Sequence, residues 1–359
     1  MEDLTNHILE NLDCLARSCD MKLCGSGVTT VDTLAGGPPS VDLAYVLPTA
    51  KSAVSFALAL DQSLIADYLS KKSRLVHERD NLSTNTMASG IALQMAKYLE
   101  SYGYRSIPIV SNAHYRYEER DVNPGAMYPD ISLRYLAIRS GVGFFGKSGN
   151  VLTKEEGAAV ILGAFVTEAE LVPTEPLQEE ANYCDECGLC TKVCAFGYMD
   201  SSEKSHVTLG GVDFTYTKRL PHNRCNATCG GFNGLHPSGK WSTWSPGRLK
   251  KPKTDEDVLP ILAGGLPKWF QWPAFDEGGV YHSLMHEKKL LLTCGNCQLV
   301  CHPDKEERSR RYKLLTTSGV VVQNEDGSLE AVPPEEAEKR LAAMNPERRA
   351  LYESVKGEP

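Results

Sequence analysis

Cysteine is the residue type whose spacing says most about chemistry in this chain. There are 12 cysteines, of which nine lie between Cys184 and Cys301 and none between Cys24 and Cys184. Cys184, Cys187, Cys190 and Cys194 follow one another as C-x2-C-x2-C-x3-C. That is a ferredoxin-type run, in which three thiolates wrap a short loop around one iron–sulfur cubane and the fourth ligates a second. Gly188 lets the loop turn, and Ala195 stands where such runs usually carry proline. Structural zinc pairs two C-x2-C units across a longer loop, so this spacing suits it poorly. Downstream, Cys294, Cys297 and Cys301 form C-x2-C-x3-C. Mirrored ligation follows: Cys184, Cys187, Cys190 and Cys301 are expected to hold one [4Fe-4S] cluster, and Cys194, Cys294 and Cys297 the other. The eighth ligand comes from Cys225 or Cys229, and Cys225 is preferred because it leaves slack before Cys229 and Gly230-Gly231. The alternative is one cluster plus a zinc site or a set of buried thiols. Two cubanes make a wire for single electrons. Cys14, Cys19 and Cys24 are spaced C-x4-C-x4-C and are expected to be buried structural cysteines.

The elements that position these thiols sit in 359 residues, enough for two domains and a core without disulfides. Clustered thiols in such a chain point to a reducing compartment. The N-terminus is acidic, with no basic region ahead of an apolar run, and no apolar stretch is long enough to cross a bilayer. A cytoplasmic protein is expected. The 38 Lys and Arg against 46 Asp and Glu give a net charge of -8, which disfavours a nucleic-acid partner held through phosphates.

Periodicity predicts a helix over Leu4 to Ser18, strands near Met21 to Gly25 and Leu43 to Leu47, and a long helix from Thr49 to Lys71. A second helix spans Met87 to Ser101, and a strand covers Ile107 to Val110. Residues 111–130 are irregular and polar. A helix from Ile131 to Arg139 stops at Gly141, and Ala158 to Thr167 is a buried strand. Between them lies a Gly-rich run that is neither a P-loop nor a dinucleotide fingerprint, because a helix precedes it. It is either a helix cap with a tight turn, or a bare loop whose amides approach a large cofactor. All four tryptophans fall in an insert over residues 232–284. The insert is either an aromatic lid or dimer surface, or a cap over a cofactor and substrate pocket. Residues 318–331 read as a hairpin turning at Asn324-Glu325-Asp326-Gly327, followed by a helix from Pro333 to Ala343. The basic groups Lys251-Pro252-Lys253 and Arg308 to Arg311 read as solvated faces.

Several segments in this order resemble epoxyqueuosine reductases and their relatives, the reductive dehalogenases. They are Leu133-Arg134-x-Leu136-Ala137-x-x-Ser140-Gly141-Val142-Gly143-Phe144-Phe145-Gly146-Lys147-Ser148, the Ala158 to Val166 strand, the Cys184 run, and Cys294-x2-Cys297-Gln298-Leu299-Val300-Cys301. The resemblance covers residues 35–315. It implies an α+β fold class: a nitroreductase-like, corrinoid-binding α/β core over 1–175 and a ferredoxin-like double [4Fe-4S] module over 176–315, with a C-terminal hairpin and helix over 316–359. It implies two [4Fe-4S] clusters passing electrons to a base-off cobalamin. Carried onto this chain, the corrinoid would be lined by Gly141, Gly143, Phe145, Gly146, Ser148 and Asn150. Arg134 would hold an anionic substrate or a corrinoid side chain, and Lys147 corrinoid amides or phosphate.

The family's catalytic aspartate lies upstream of the Arg134 helix; the ungapped position here is Met127, and Asp130 follows three residues later. Candidate proton donors are therefore Tyr128, Asp130, Tyr115 and His114. The expected function is a cobalamin-dependent iron–sulfur reductase of a small molecule, an epoxide or halide. The alternatives are tRNA epoxyqueuosine reduction and reduction of a partner protein's corrinoid. A ferredoxin- or flavodoxin-like protein would supply the electrons.

Overall fold

Residues 52–59 read Ser-Ala-Val-Ser-Phe-Ala-Leu-Ala, small or apolar on both faces of an extended chain. In the computed structural model, which describes residues 2–111, 116, 128–275 and 294–354, they form strand β2 (Ser52–Ala59), buried on both faces. Strand β1 (Leu23–Thr30) and strand β6 (Val160–Thr167) flank β2, both antiparallel, and β3 (Ser106–Ile109) lies beyond β6, giving the order β1-β2-β6-β3. The long helix expected over Thr49 to Lys71 is thus a central strand followed by a short helix, α2 (Gln62–Leu69). Alanine's helix preference is worth only about 0.7 kcal/mol per residue or less, whereas burying a Val, Leu or Phe side chain yields about 1.5–3 kcal/mol. With both faces covered, the period-2 alternation is hidden in a continuous apolar run. The strand expected at Leu43 to Leu47 is instead a short 3-10 turn, Leu43–Tyr45.

Alternate β2 residues divide between two cores. Val54, Phe56 and Leu58 join Ile8 and Leu12 of α1 (Glu2–Ser18) and Ala88, Ile91 and Met95 of α3 (Leu75–Ser101). Ala53 and Ala57 face the other way, onto Leu136 and Ala137 of α4 (Leu133–Arg139). The result is a mixed α+β fold, a sheet with helices on both faces. Short strands β4 (Phe144–Phe145) and β5 (Val151–Leu152) pair on either side of the Gly-rich turn.

The cysteine-bearing half carries short helices α5 (Leu189–Lys192), α6 (Asn223–Cys229), α7 (Val258–Phe270) and α8 (Asn296–Leu299), with a ribbon of β7 (Met199–Leu209) and β8 (Val212–Arg219). Helix α9 (Lys305–Thr316) follows. The C-terminal hairpin is β9 (Val320–Gln323) with β10 (Leu329–Val332), then α10 (Pro334–Ala343) and α11 (Pro346–Tyr352). The tryptophans do not form an exposed surface: Trp241, Trp244, Trp269 and Trp272 are all buried. Trp244 and Trp241 join the core above α2, and Trp269 and Trp272 pack with Phe275 and Tyr352. Cys14 is exposed and Cys19 and Cys24 are half-buried, so the first three cysteines are not the interior residues expected. Among the described residues no helix is long and apolar enough to cross a membrane.

Phe56 lies opposite Gly163 in the β2–β6 register, and any side chain at Gly163 would run into its ring. Gly163→Ala is expected to cost about 1–3 kcal/mol by overpacking. Adding Phe56→Leu should return part of that loss, which a urea-denaturation double-mutant cycle would show as coupling between the two sites.

Candidate iron–sulfur and redox site

The structure sorts the nine downstream cysteines into two groups. A cavity is lined by Cys184, Cys187, Cys190 and Cys301 together with Lys147 and Arg308. Gly188 (φ 74°) turns the chain between Cys187 and α5, which carries Cys190, a left-handed conformation that glycine adopts without strain. Cys301 arrives from the end of α8, which packs beside α5. The Tyr183 hydroxyl lies 3.8 Å from the Cys301 sulfur; burial, and then that sulfur, push its pKa well up.

The second group holds Cys194, Cys225, Cys229, Cys294 and Cys297, each within hydrogen-bonding or Coulomb reach of others in the set. Cys225 and Cys229 project from α6 with their sulfurs 3.7 Å apart. Hydrogen bonding to Cys225 and Cys294 keeps the proton on Cys229, and the same contact draws the Cys294 thiol down to about 7. The Tyr198 amide donates to the Cys194 sulfur at 3.1 Å. Lys71, which the sequence did not flag, lies close enough for Cys294 to act on its charge; burial lowers its ammonium to about 7.

The Gly-rich run connects the groups. The Lys147 amide donates to the Cys184 sulfur at 3.3 Å, and the Asn150 side-chain amide to the Cys297 sulfur at 3.6 Å. Two arginines hold this loop. Arg219 of β8 donates to the Ser148 carbonyl at 3.0 Å and to Asn150 Oδ1 at 2.9 Å. Arg134 of α4 donates to the Gly149 carbonyl at 2.7 Å and lies over the rings of Tyr135, Phe145 and Tyr216. Burial, with Arg219 nearby, lowers Arg134 to about 10. The Lys147 ammonium faces Glu186 at 3.6 Å.

Thiolates are the ligands that iron–sulfur clusters take, and N–H donors to sulfur are their usual second shell, so both groups fit such clusters. Among the described residues no three His, Cys, Asp or Glu side chains are placed to hold a single metal ion. A cluster, whose ligands sit on separate irons, does not require that. The glycines of this run lie against neighbouring chain on the side where a side chain would project. A Cβ on Gly141 would meet the Glu175 carbonyl, one on Gly143 the Leu152 carbonyl, and one on Gly146 the Leu152 side chain. Gly141 (φ 76°) ends α4, and the Val142 amide bonds back to the Ala137 carbonyl at 2.9 Å, the geometry of a helix C-cap.

Of the candidate proton donors, His114 and Tyr115 lie outside the described residues, as does Met127. Tyr128 and Asp130 gather around Arg116 at the N-terminal side of α4. The Arg116 guanidinium donates to the Asp130 carbonyl, and its own amide donates to the Tyr128 carbonyl at 2.8 Å. The Tyr128 hydroxyl accepts from the Ser40 amide at 3.2 Å.

Arg308 and Arg311 are not solvated. Both are buried on the inner face of α9, where Arg308 donates to Asp185 at 2.7 Å, beside Cys184. Arg311 donates to the Leu299 carbonyl at 3.1 Å and to Gln62 at 2.6 Å. Their signal was present in the sequence: Arg308, Arg311 and Leu315 fall on one helical stripe.

No family model matches the chain. A curated epoxyqueuosine reductase of Bacillus cereus is 26% identical over 154 residues, 43% of this chain and 37% of that protein. One from Atelocyanobacterium thalassa is 45% identical over 64 residues, 18% of this chain and 20% of that protein. These matches thus span well under two thirds of the relatives' own lengths. Among solved structures, epoxyqueuosine reductase with an epoxyqueuosine-modified tRNA stem loop aligns over 97% of this chain and 74% of that one, at 16% identity and TM-score 0.41. A reductive dehalogenase aligns over 90% of this chain and 39% of that one, at 12% identity and TM-score 0.47. The sequence similarity is to epoxyqueuosine reductases, as the motifs led one to expect.

Arg308→Ala should lower stability by about 2 kcal/mol, read from the urea midpoint, because it removes a charged hydrogen bond between α9 and the Cys184 loop. Arg310, then burial opposed by Arg311, set Glu307, whose carboxyl falls from 4.5 to about 2. A depressed carboxyl stabilises above its unfolded value and stops doing so as pH falls through its folded one. Glu307→Gln should therefore be less stable than the parent at neutral pH, with the gap closing as pH falls from about 4.5 toward 2.

Proposed function

We propose that this chain is an iron–sulfur reductase of the epoxyqueuosine reductase kind, removing the epoxide oxygen of epoxyqueuosine in tRNA. Two electrons and two protons convert the epoxide to an alkene and water. The observation that carries the reading is the crossed sharing of thiols between residues 184–194 and 294–301, with one loop donating to a sulfur in each group. The curated matches are epoxyqueuosine reductases, which favours the RNA substrate over the small epoxide or halide expected first.

Bound clusters would supply electrons one at a time. Cys184, Cys187, Cys190 and Cys301 would hold one, and Cys194, Cys294, Cys297 and a cysteine of α6 the other. The Lys147 and Asn150 N–H groups place positive dipole ends against sulfur, which favours the reduced, more negative state of each cluster. Arg219 fixes the Asn150 amide by taking its oxygen, so the nitrogen end faces Cys297. Arg134 and Arg219 take the loop's carbonyls at Gly149 and Ser148. Tyr128, whose oxygen accepts from Ser40, is one candidate proton donor, and Asp130 is the second.

Anaerobic reconstitution with iron, sulfide and cobalamin should load about eight iron atoms per chain. With a low-potential reductant, the loaded protein should remove one oxygen from an epoxyqueuosine-bearing tRNA stem loop, seen as a mass loss in the digested nucleoside. Full iron loading with no such loss would reject the RNA substrate. Tyr128→Phe or Asp130→Asn, whichever removes the proton donor, should slow that step by about 10²-fold or more at unchanged iron content. Asn150→Ala should shift one cluster's reduction potential to a more negative value, again at full iron content.

A further inference from the structure

The second thiol group holds one cysteine more than a cubane takes. Cys194, Cys294 and Cys297 supply three ligands on the iron–sulfur reading, and two sulfurs stand ready for the fourth place. Cys225 and Cys229 are four residues apart on α6, so they share one helix face. Their sulfurs are 3.7 Å apart. Cys225 lies within Coulomb reach of Cys194 and Cys297, while Cys229 is in hydrogen-bonding contact with Cys294. Each therefore already touches or faces members of the trio from one side of the site. Changing which sulfur points at the cluster requires rotation about side-chain bonds and no movement of α6, whose Arg224 side chain is held by Asp255 at 2.6 Å.

We propose that Cys225 and Cys229 are interchangeable ligands of the second cluster: either completes it, and the other remains beside it as a thiol. This rests on the iron–sulfur reading above and assigns Cys229 a metal-binding role. A chain built this way keeps its second cluster when either thiol of the pair is lost.

The test compares the parent chain with Cys225→Ala, Cys229→Ala and the double variant, since alanine has no donor atom. Each is reconstituted anaerobically with iron and sulfide, and iron, acid-labile sulfide and the EPR spectrum after dithionite reduction are recorded. The parent and both single variants should hold about eight iron atoms, and the double variant about four. Cys225→Ala should also shift the EPR signal of one cluster, because its ligand then comes from a different point on α6. If Cys225→Ala alone drops to about four iron atoms while Cys229→Ala keeps eight, Cys225 is the sole ligand and the proposal fails; the converse result overturns it equally. A double variant that keeps all its iron also overturns it, by placing the ligand elsewhere. The first cluster's EPR signal in each variant reports that the chain has folded. A parent chain that binds no iron would reject the iron–sulfur reading itself, a distinct result from loss in one variant.

Discussion

The shared use of two distant cysteine runs is the constraint on which the rest of this structure depends. Cys301 belongs with Cys184, Cys187 and Cys190, while Cys194 belongs with Cys294 and Cys297, so residues 184–194 and 294–301 must lie side by side. Thiols brought together in this way repel once ionised, and short helices of four residues cannot hold such an arrangement alone. Other contacts do so. Arg308 ties α9 to Asp185, and Arg311 ties it to the end of α8. Gln298 donates to the Val160 carbonyl at 2.8 Å, joining α8 to the start of β6.

That last contact carries the constraint into the sheet. β6 is central, and its neighbour β2 is buried on both faces, so the scaffold beneath the thiols is a sheet packed on both sides. The tryptophan insert belongs to the same scaffold. Trp244 donates to the Tyr68 carbonyl at 3.0 Å, and the Tyr68 hydroxyl reaches the Cys294 carbonyl at 3.4 Å. The C-terminal hairpin joins through Ser242, which accepts from the Val321 amide at 2.8 Å. Segments that look separate in sequence thus pack as a support for one pair of thiol groups.

The loop over residues 146–150 is where support turns into chemistry. It gives one N–H to a sulfur of each group, and it keeps that geometry because Arg134 and Arg219 take its carbonyls. Two arginines close enough for one to lower the other's pKa repel each other. Each is offset by hydrogen bonds and by the aromatic rings around it, the usual condition for burying such charge. The glycines before the loop serve tight packing against Leu152 and Glu175, which brings the loop close to the sheet.

Cysteine spacing determined how the downstream thiols divide into two groups, because short loops permit few separations between thiols that must face one site. The same sequence determined the capped end of α4 and the C-terminal hairpin, both local turns whose residues act on their own neighbours. It also carried the α+β class and the likeness to epoxyqueuosine reductases. Tertiary structure alone decided that Ser52–Ala59 is a strand, since burial on both faces erases the alternation that would mark one. It decided that the tryptophans are interior and that Arg308 and Arg311 face inward, because their partners lie far away in sequence. And it brought Cys229 to the second group alongside Cys225: spacing offered the two cysteines as alternatives, whereas the turn of α6 places both sulfurs at one site.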